Sequence, residues 1–167
     1  MGRRRGVFEL LADRKVRCPM QEGRMTDPES IIRRLFALVD AGGDEFVDEF
    51  YSPEYLDHTP STVRGLAPGR EGLRQAFTIF RRGFPDVRHV IEDVIAAGDR
   101  VAVRLRAEGK HSGELFGIPP SGRHVSQEAI VIYRLAGGKI IERWSVSSSD
   151  LLEEVRRIAT ERAAPES

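Results

Sequence analysis

The sequence predicts an α+β domain in which helices cover one face of a curved, mainly antiparallel sheet. Apolar residues keep helical spacing as far as Phe84, and from Asp86 onward the period changes to two. The turn formers Gly98-Asp99 and Gly137-Gly138 then fold the second half into a meander. At 167 residues the chain is one domain by size and long enough to bury its own core.

Residues 1–25 mix an Arg run with a short apolar patch and no period, and read as a disordered extension. The domain runs over 26–163, and 164–167 are expected to be a disordered tail. Thr26-Asp27-Pro28-Glu29 announces a helix, Ile31, Ile32, Leu35, Phe36 and Val39 give it an apolar face, and Gly42-Gly43 ends it. Asp44 to Tyr51 reads as a short second helix stopped before Pro53. Glu54 to Thr59 is brief and extended. Leu73, Ala76, Phe77 and Phe80 mark a third helix closed by Gly83 and Pro85. Three helices are therefore expected ahead of about four long strands. Val87 to Ala97 pairs with a strand on which Val101, Val103, Leu105, Ala107 and Gly109 face inward, and Ala129–Leu135 with Lys139–Val146 forms a hairpin. Asp150 to Ala163 is a C-terminal helix or frayed tail.

Composition narrows the function. Residues 1–24 hold seven Arg and Lys against three Asp and Glu, leaving nineteen against twenty-three in the remainder. An acidic body without a basic stripe argues against a nucleic-acid partner. No apolar run reaches membrane-spanning length and no signal-peptide core follows the basic start, so a soluble cytoplasmic protein is expected. The single cysteine, Cys18, offers neither a disulfide framework nor a thiolate metal site. His58, His89, His111 and His124 lack ligand spacing, and no Gly-rich strand-to-helix phosphate loop is present. Neither metal nor cofactor is expected. A sheet bent over its helices encloses an apolar cavity, which points to a small-molecule substrate.

The runs GKHSGELFGIPPSGRHV and IYRLAGGKIIERW, with YLDH, FPDV and GDRVAVR, resemble the SnoaL-like polyketide cyclase family of the NTF2-like superfamily. The resemblance spans roughly residues 28–155. It implies an NTF2-like cone, with three N-terminal helices packed on the strongly curved sheet, and a cofactor-independent ring closure in secondary metabolism. Aligned on Gly138-Lys139, the family's catalytic Asp falls on Ser145 and its His on Arg143, while its Gln and His fall on Ala129 and Val131. Its Asn after the second helix falls on Asp57. The resemblance thus implies the scaffold of an antibiotic-pathway cyclase without its usual aldol residues.

The residues supply other candidates. His111 ends the inward-facing strand at its rim and is a candidate general acid or base; the alternative is a structural histidine bonded to a loop carbonyl. Asp57 and His58 are adjacent on an extended segment, so only one can enter the cavity. Tyr51, Tyr55 and Tyr133 offer phenolic donors from an apolar wall. The register that the resemblance implies turns Arg143 and Ser145 to the cavity with Ala129 and Val131 as substrate-binding positions, whereas Glu128, Glu142 and Trp144 face away, toward a homodimer formed through the sheet. The favoured reaction is intramolecular epoxide opening, or similar ring closure, on a polyketide- or terpenoid-derived molecule. A non-catalytic binding module, an aldol-type cyclase and an epoxide hydrolase are the alternatives.

Overall fold

The computed structural model describes residues 27–59 and 65–163. The expected extension over 1–25, Cys18 and the tail over 164–167 lie outside the described residues.

Helix α1 (Pro28–Ala41) begins where Asp27 accepts a hydrogen bond from the Ser30 amide at 3.1 Å. Ile31, Ile32, Leu35, Phe36 and Val39 form its buried stripe. Helix α2 (Glu45–Phe50) is a single short segment with Phe46, Val47 and Phe50 buried. It ends one residue before the expected limit, because Tyr51 already opens strand β1 (Tyr51–Asp57). Pro53 cannot continue a helix, and it sits on an edge strand, between the paired residues Tyr51 and Leu56 where the register shifts. Helix α3 (Gly69–Gly83) follows. The three expected helices therefore precede the four long strands, and the extended segment expected near Glu54 is a full member of the sheet.

Strands β2 (Arg88–Ala97), β3 (Arg100–Lys110), β4 (His124–Ala136) and β5 (Lys139–Ser147) form the antiparallel meander. Strand β1 adds to β5 in parallel, giving five strands in the order β1-β5-β4-β3-β2. Val101, Val103 and Leu105 are buried on the inner face, as alternation predicts. They meet Val131, Tyr133, the α1 stripe and Phe46 in the main core.

A second, smaller core lies beside the first. Helix α4 (Leu151–Ala163) buries Leu152, Val155 and Ile158 against Phe84, Leu115, Ile118 and Val125. Each of these side chains contributes about 2 kcal/mol by burial, which makes the C-terminal segment a packed helix rather than a frayed tail. The β3–β4 loop is tied to the end of α3, where the amides of Ser112 and Gly113 both donate to the Gly83 carbonyl at 3.1 Å. Leu115 and Ile118 exchange both backbone hydrogen bonds around Phe116 (φ 50°) and Gly117 (φ 78°). Positive φ at both central residues is the geometry of a type I′ turn.

Candidate active site

The concave face of the sheet and helices α1 and α3 enclose a cavity of about 870 Å³. Its apolar walls come from Phe36 and Val39 on α1, Leu73, Phe77 and Phe80 on α3, and Leu105, Ala129 and Val131 on the sheet. One end is polar. Asp57, Arg143, Tyr51, Tyr55, Tyr133 and Ser145 all line it.

Strand register brings these residues together. Arg143 is opposite Tyr133 on one side and beside Asp57 on the other, and Ser145 is opposite Val131. Arg143 Nη1 donates to Asp57 Oδ2 at 2.8 Å, and the Thr59 amide donates to Asp57 Oδ1 at 3.0 Å. Both side chains are about three-quarters enclosed, with 25% and 23% of their surface exposed, so the pair is poorly screened by water. Burial opposes the charge on Arg143, but Tyr133, Asp57 and the other two tyrosines offset this and hold its pKa above the ordinary arginine value. Arg143 is a fixed cation.

The tyrosines keep their protons. Burial pushes Tyr51, Tyr55 and Tyr133 above the usual phenol value, while Arg143 pulls in the other direction on each. They are O–H donors at neutral pH, not bases. Tyr51 and Tyr55 meet edge to face with ring centroids 4.8 Å apart, which fixes both rings. The Tyr55 hydroxyl is buried and has no hydrogen-bond partner among the described residues. An unmet donor of this kind is unfavourable by about 1–3 kcal/mol unless something enters the cavity to accept from it. The Asp57 carboxylate is near enough to raise the Tyr55 pKa further, without bonding its hydroxyl in a good geometry.

Eight of the ten candidate residues thus share one wall; the other two lie elsewhere. His58 is on the outer face, stacked on Trp144 at 4.4 Å with 2° between the planes, and its Nε2 is 3.4 Å from Glu142 Oε2. Strand alternation sends it out because Asp57 goes in. His111 is not on the cavity wall. It is fully buried in the smaller core, 5.3 Å from the Phe84 ring, where its Nδ1 accepts from the Ser121 amide at 3.2 Å. Its backbone closes the loop through the Arg123 carbonyl and the Gly122 amide, at 2.9 and 2.8 Å.

Two cavity features had no clear signal in the sequence. Gln127 lines the cavity near its Ser149 end. His89 lines it from β2, with Nδ1 2.6 Å from Asp40 Oδ1. Among the described residues, no cluster of three or more His, Cys, Asp or Glu side chains forms a metal site. No helix among the described residues is long and apolar enough to cross a membrane.

A cone of this architecture, closed around an apolar cavity with one charged and phenolic end, defines a small-molecule-binding α+β protein of the NTF2-like kind. The SnoaL-like polyketide cyclase family model matches residues 29–154, and the chain belongs to that family. It is similar to the aklanonic acid methyl ester cyclase DnrD of Streptomyces peucetius, 30% identical over 117 residues, covering 70% of this chain and 81% of the relative. It is also similar to the nogalonic acid methyl ester cyclase of Streptomyces nogalater, 32% identical over 108 residues, covering 64% and 79% of the two chains. Among solved structures it resembles IdmH, a putative polyketide cyclase from Streptomyces antibioticus, with a TM-score of 0.66 and 31% identity, covering 78% of this chain and 99% of that one.

Proposed function

We propose that this chain closes a ring on a polyketide-derived ester, using acid and base groups of its own and no cofactor. The observation that carries the reading is the buried Tyr55 hydroxyl, unpartnered among the described residues, beside the Asp57–Arg143 pair. A substrate carbonyl oxygen fits between the two donors. Asp57 keeps free lone pairs on both oxygens and serves as the base. It takes a proton from a carbon flanked by carbonyls, and the released electron pair forms the new C–C bond to a second carbonyl carbon. That carbonyl oxygen becomes an alkoxide, held by Arg143 and Tyr55 until Asp57 returns the proton. The product is an isomer of the substrate.

A second reading is kept by the positions where the resemblance implies acid and base residues, which here are Ala129, Val131, Arg143 and Ser145. In it, Asp57 deprotonates a substrate hydroxyl that opens an epoxide. Incubation with aklanonic acid methyl ester tests the first reading, since an isomer of unchanged mass with one further ring is expected. Recovery of unchanged ester would contradict it. Consumption of an epoxide-bearing analogue alone would favour the second, and a diol carrying oxygen from labelled water would identify a hydrolase.

The outer face of the sheet supports a homodimer. Leu56, Ile95, Ile130 and Val146 are 51%, 67%, 52% and 74% exposed there. Ion pairs of Arg104 with Asp93 and Arg134 with Glu142 stand beside them. A face of this kind is stable when a second copy covers it. A monomeric mass by light scattering, in a protein working in the cytoplasm as proposed, would contradict this pairing.

A further inference from the structure

Across the cavity from Arg143 stands a second polar pair. His89 lines the cavity from β2, at the opposite edge of the sheet from β1. Its backbone amide donates to Asp40 Oδ2 at 3.0 Å while its Nδ1 meets Asp40 Oδ1 at 2.6 Å, so one carboxylate fixes both the main chain and the ring. A carboxylate only accepts, so Nδ1 carries a hydrogen, and in the neutral form of a ring bonded this way Nε2 presents its lone pair. Both side chains are largely enclosed, at 14% and 16% exposure, and the ring leans on Phe36 with centroids 5.2 Å apart.

The pair is held from behind. Arg81 of α3 donates to the Val39 carbonyl and locks the last turn of α1, which carries Asp40. Gly42 lets the guanidinium approach, since a Cβ there would lie 2.5 Å from Arg81 Nη1 and φ is +100°. On the other side, the register of β2 shifts between Ile91 and Asp93, placing His89 opposite Ala107 on the inner face. Two helices and a bulge thus converge on one imidazole whose one ring hydrogen bond among the described residues is to Asp40.

From β5 to β2 there are three strand spacings of about 4.8 Å, roughly 14 Å along the sheet. The wall between is apolar, formed by Val131, Leu105, Phe77 and Phe36. A ligand that satisfies both ends is long, flat and apolar in the middle. We propose that His89, oriented by Asp40, is a specificity residue whose Nε2 accepts a hydrogen bond from a phenolic or enolic hydroxyl at the substrate end remote from ring closure. The substrate class is then a multi-ring, hydroxylated polyketide. The proposal rests on reading the cavity as the cyclisation site, but it is tested by binding alone.

The probes are a dihydroxyanthraquinone and its dimethyl ether, titrated by visible absorbance. Wild-type protein is expected to prefer the hydroxylated probe by about tenfold, the effect of one hydrogen bond. His89→Phe should abolish the preference while leaving the ether's affinity unchanged. Asp40→Asn, which frees the ring to turn, should reduce the preference with the protein still folded by thermal unfolding, and it carries the test if His89→Phe fails to fold. Equal weakening of both probes, a preference that survives either substitution, or a wild-type protein that binds neither probe would overturn the proposal. Failure of ester cyclisation with this preference intact would sink the proposed reaction and leave His89 its role.

Discussion

The main cavity and the smaller core beneath α4 each hold a histidine, and they treat it in opposite ways. His89 has a carboxylate on Nδ1 and lines the cavity, its other nitrogen without a hydrogen-bond partner among the described residues. His111 is enclosed and bonded through loop groups, with Nε2 buried and unpartnered among the described residues. Burial lowers the His111 pKa, with the Gly113 backbone opposing. The first arrangement leaves an imidazole able to exchange hydrogen bonds with a ligand. The second uses a neutral ring as packing. The dense motif around His111 reflects a loop that must close tightly on α3, where a Cβ on Gly113 would lie 1.8 Å from the Arg82 carbonyl oxygen.

Substitutions at the two regions should therefore separate chemistry from stability. Tyr55→Phe removes one oxyanion donor from the cavity and should lower kcat by about a hundredfold or more, with a melting temperature that rises or holds because an unmet buried donor is removed; an unaltered rate would remove Tyr55 from the site. Gly113→Ala should do the reverse. The overlap with Arg82 is with backbone and cannot be relieved by a rotamer change, so a loss of about 3 kcal/mol is expected in urea unfolding.

The pH dependence of stability follows from His111. Its folded pKa lies below the unfolded value of 6.5, so the unfolded chain binds the proton more readily. The neutral ring's contribution is intact above about pH 6.5 and is lost as pH falls from there through the folded pKa. His111→Phe should flatten that limb of the stability profile, and an unchanged limb would show that His111 is not its source. The smallest effect is expected at His58. It stacks on Trp144 on the outer face, so His58→Ala should change turnover by less than about twofold. A larger loss would place the outer face in the reaction.

Much of this comparison was legible in the sequence, and the exceptions have physical causes. The resemblance, aligned on Gly138-Lys139, supplied the inward positions Ala129, Val131, Arg143 and Ser145, and alternation added Tyr133; counting from the turn would not have, because the register shifts between Arg134 and Leu135. Adjacency showed only that one of Asp57 and His58 enters, and the choice between them stayed open until β1 was placed beside β5. The parallel pairing of β1 with β5 could not be read, because it joins segments far apart in the chain and carries no turn signal. His89 was hidden by the extra residue at Glu92. Counting back from Ala97 opposite Arg100 would place His89 opposite Glu108 on the outer face, and the bulge moves it opposite Ala107. Its partner Asp40 is an ordinary acidic residue on a helix end until β2 arrives beside it. His111 drew attention by its motif, and only packing distinguishes a buried ring from a rim residue.

The central claim is that the chemistry belongs to the Asp57–Arg143–Tyr55 end of the cavity and not to the loop histidine. Its most direct test is kcat/KM for aklanonic acid methyl ester, measured for Asp57→Asn and His111→Asn at a temperature where both remain folded. The account predicts a loss of at least about a hundredfold for Asp57→Asn and a near wild-type value for His111→Asn. A wild-type rate in Asp57→Asn with a collapsed rate in folded His111→Asn would contradict it.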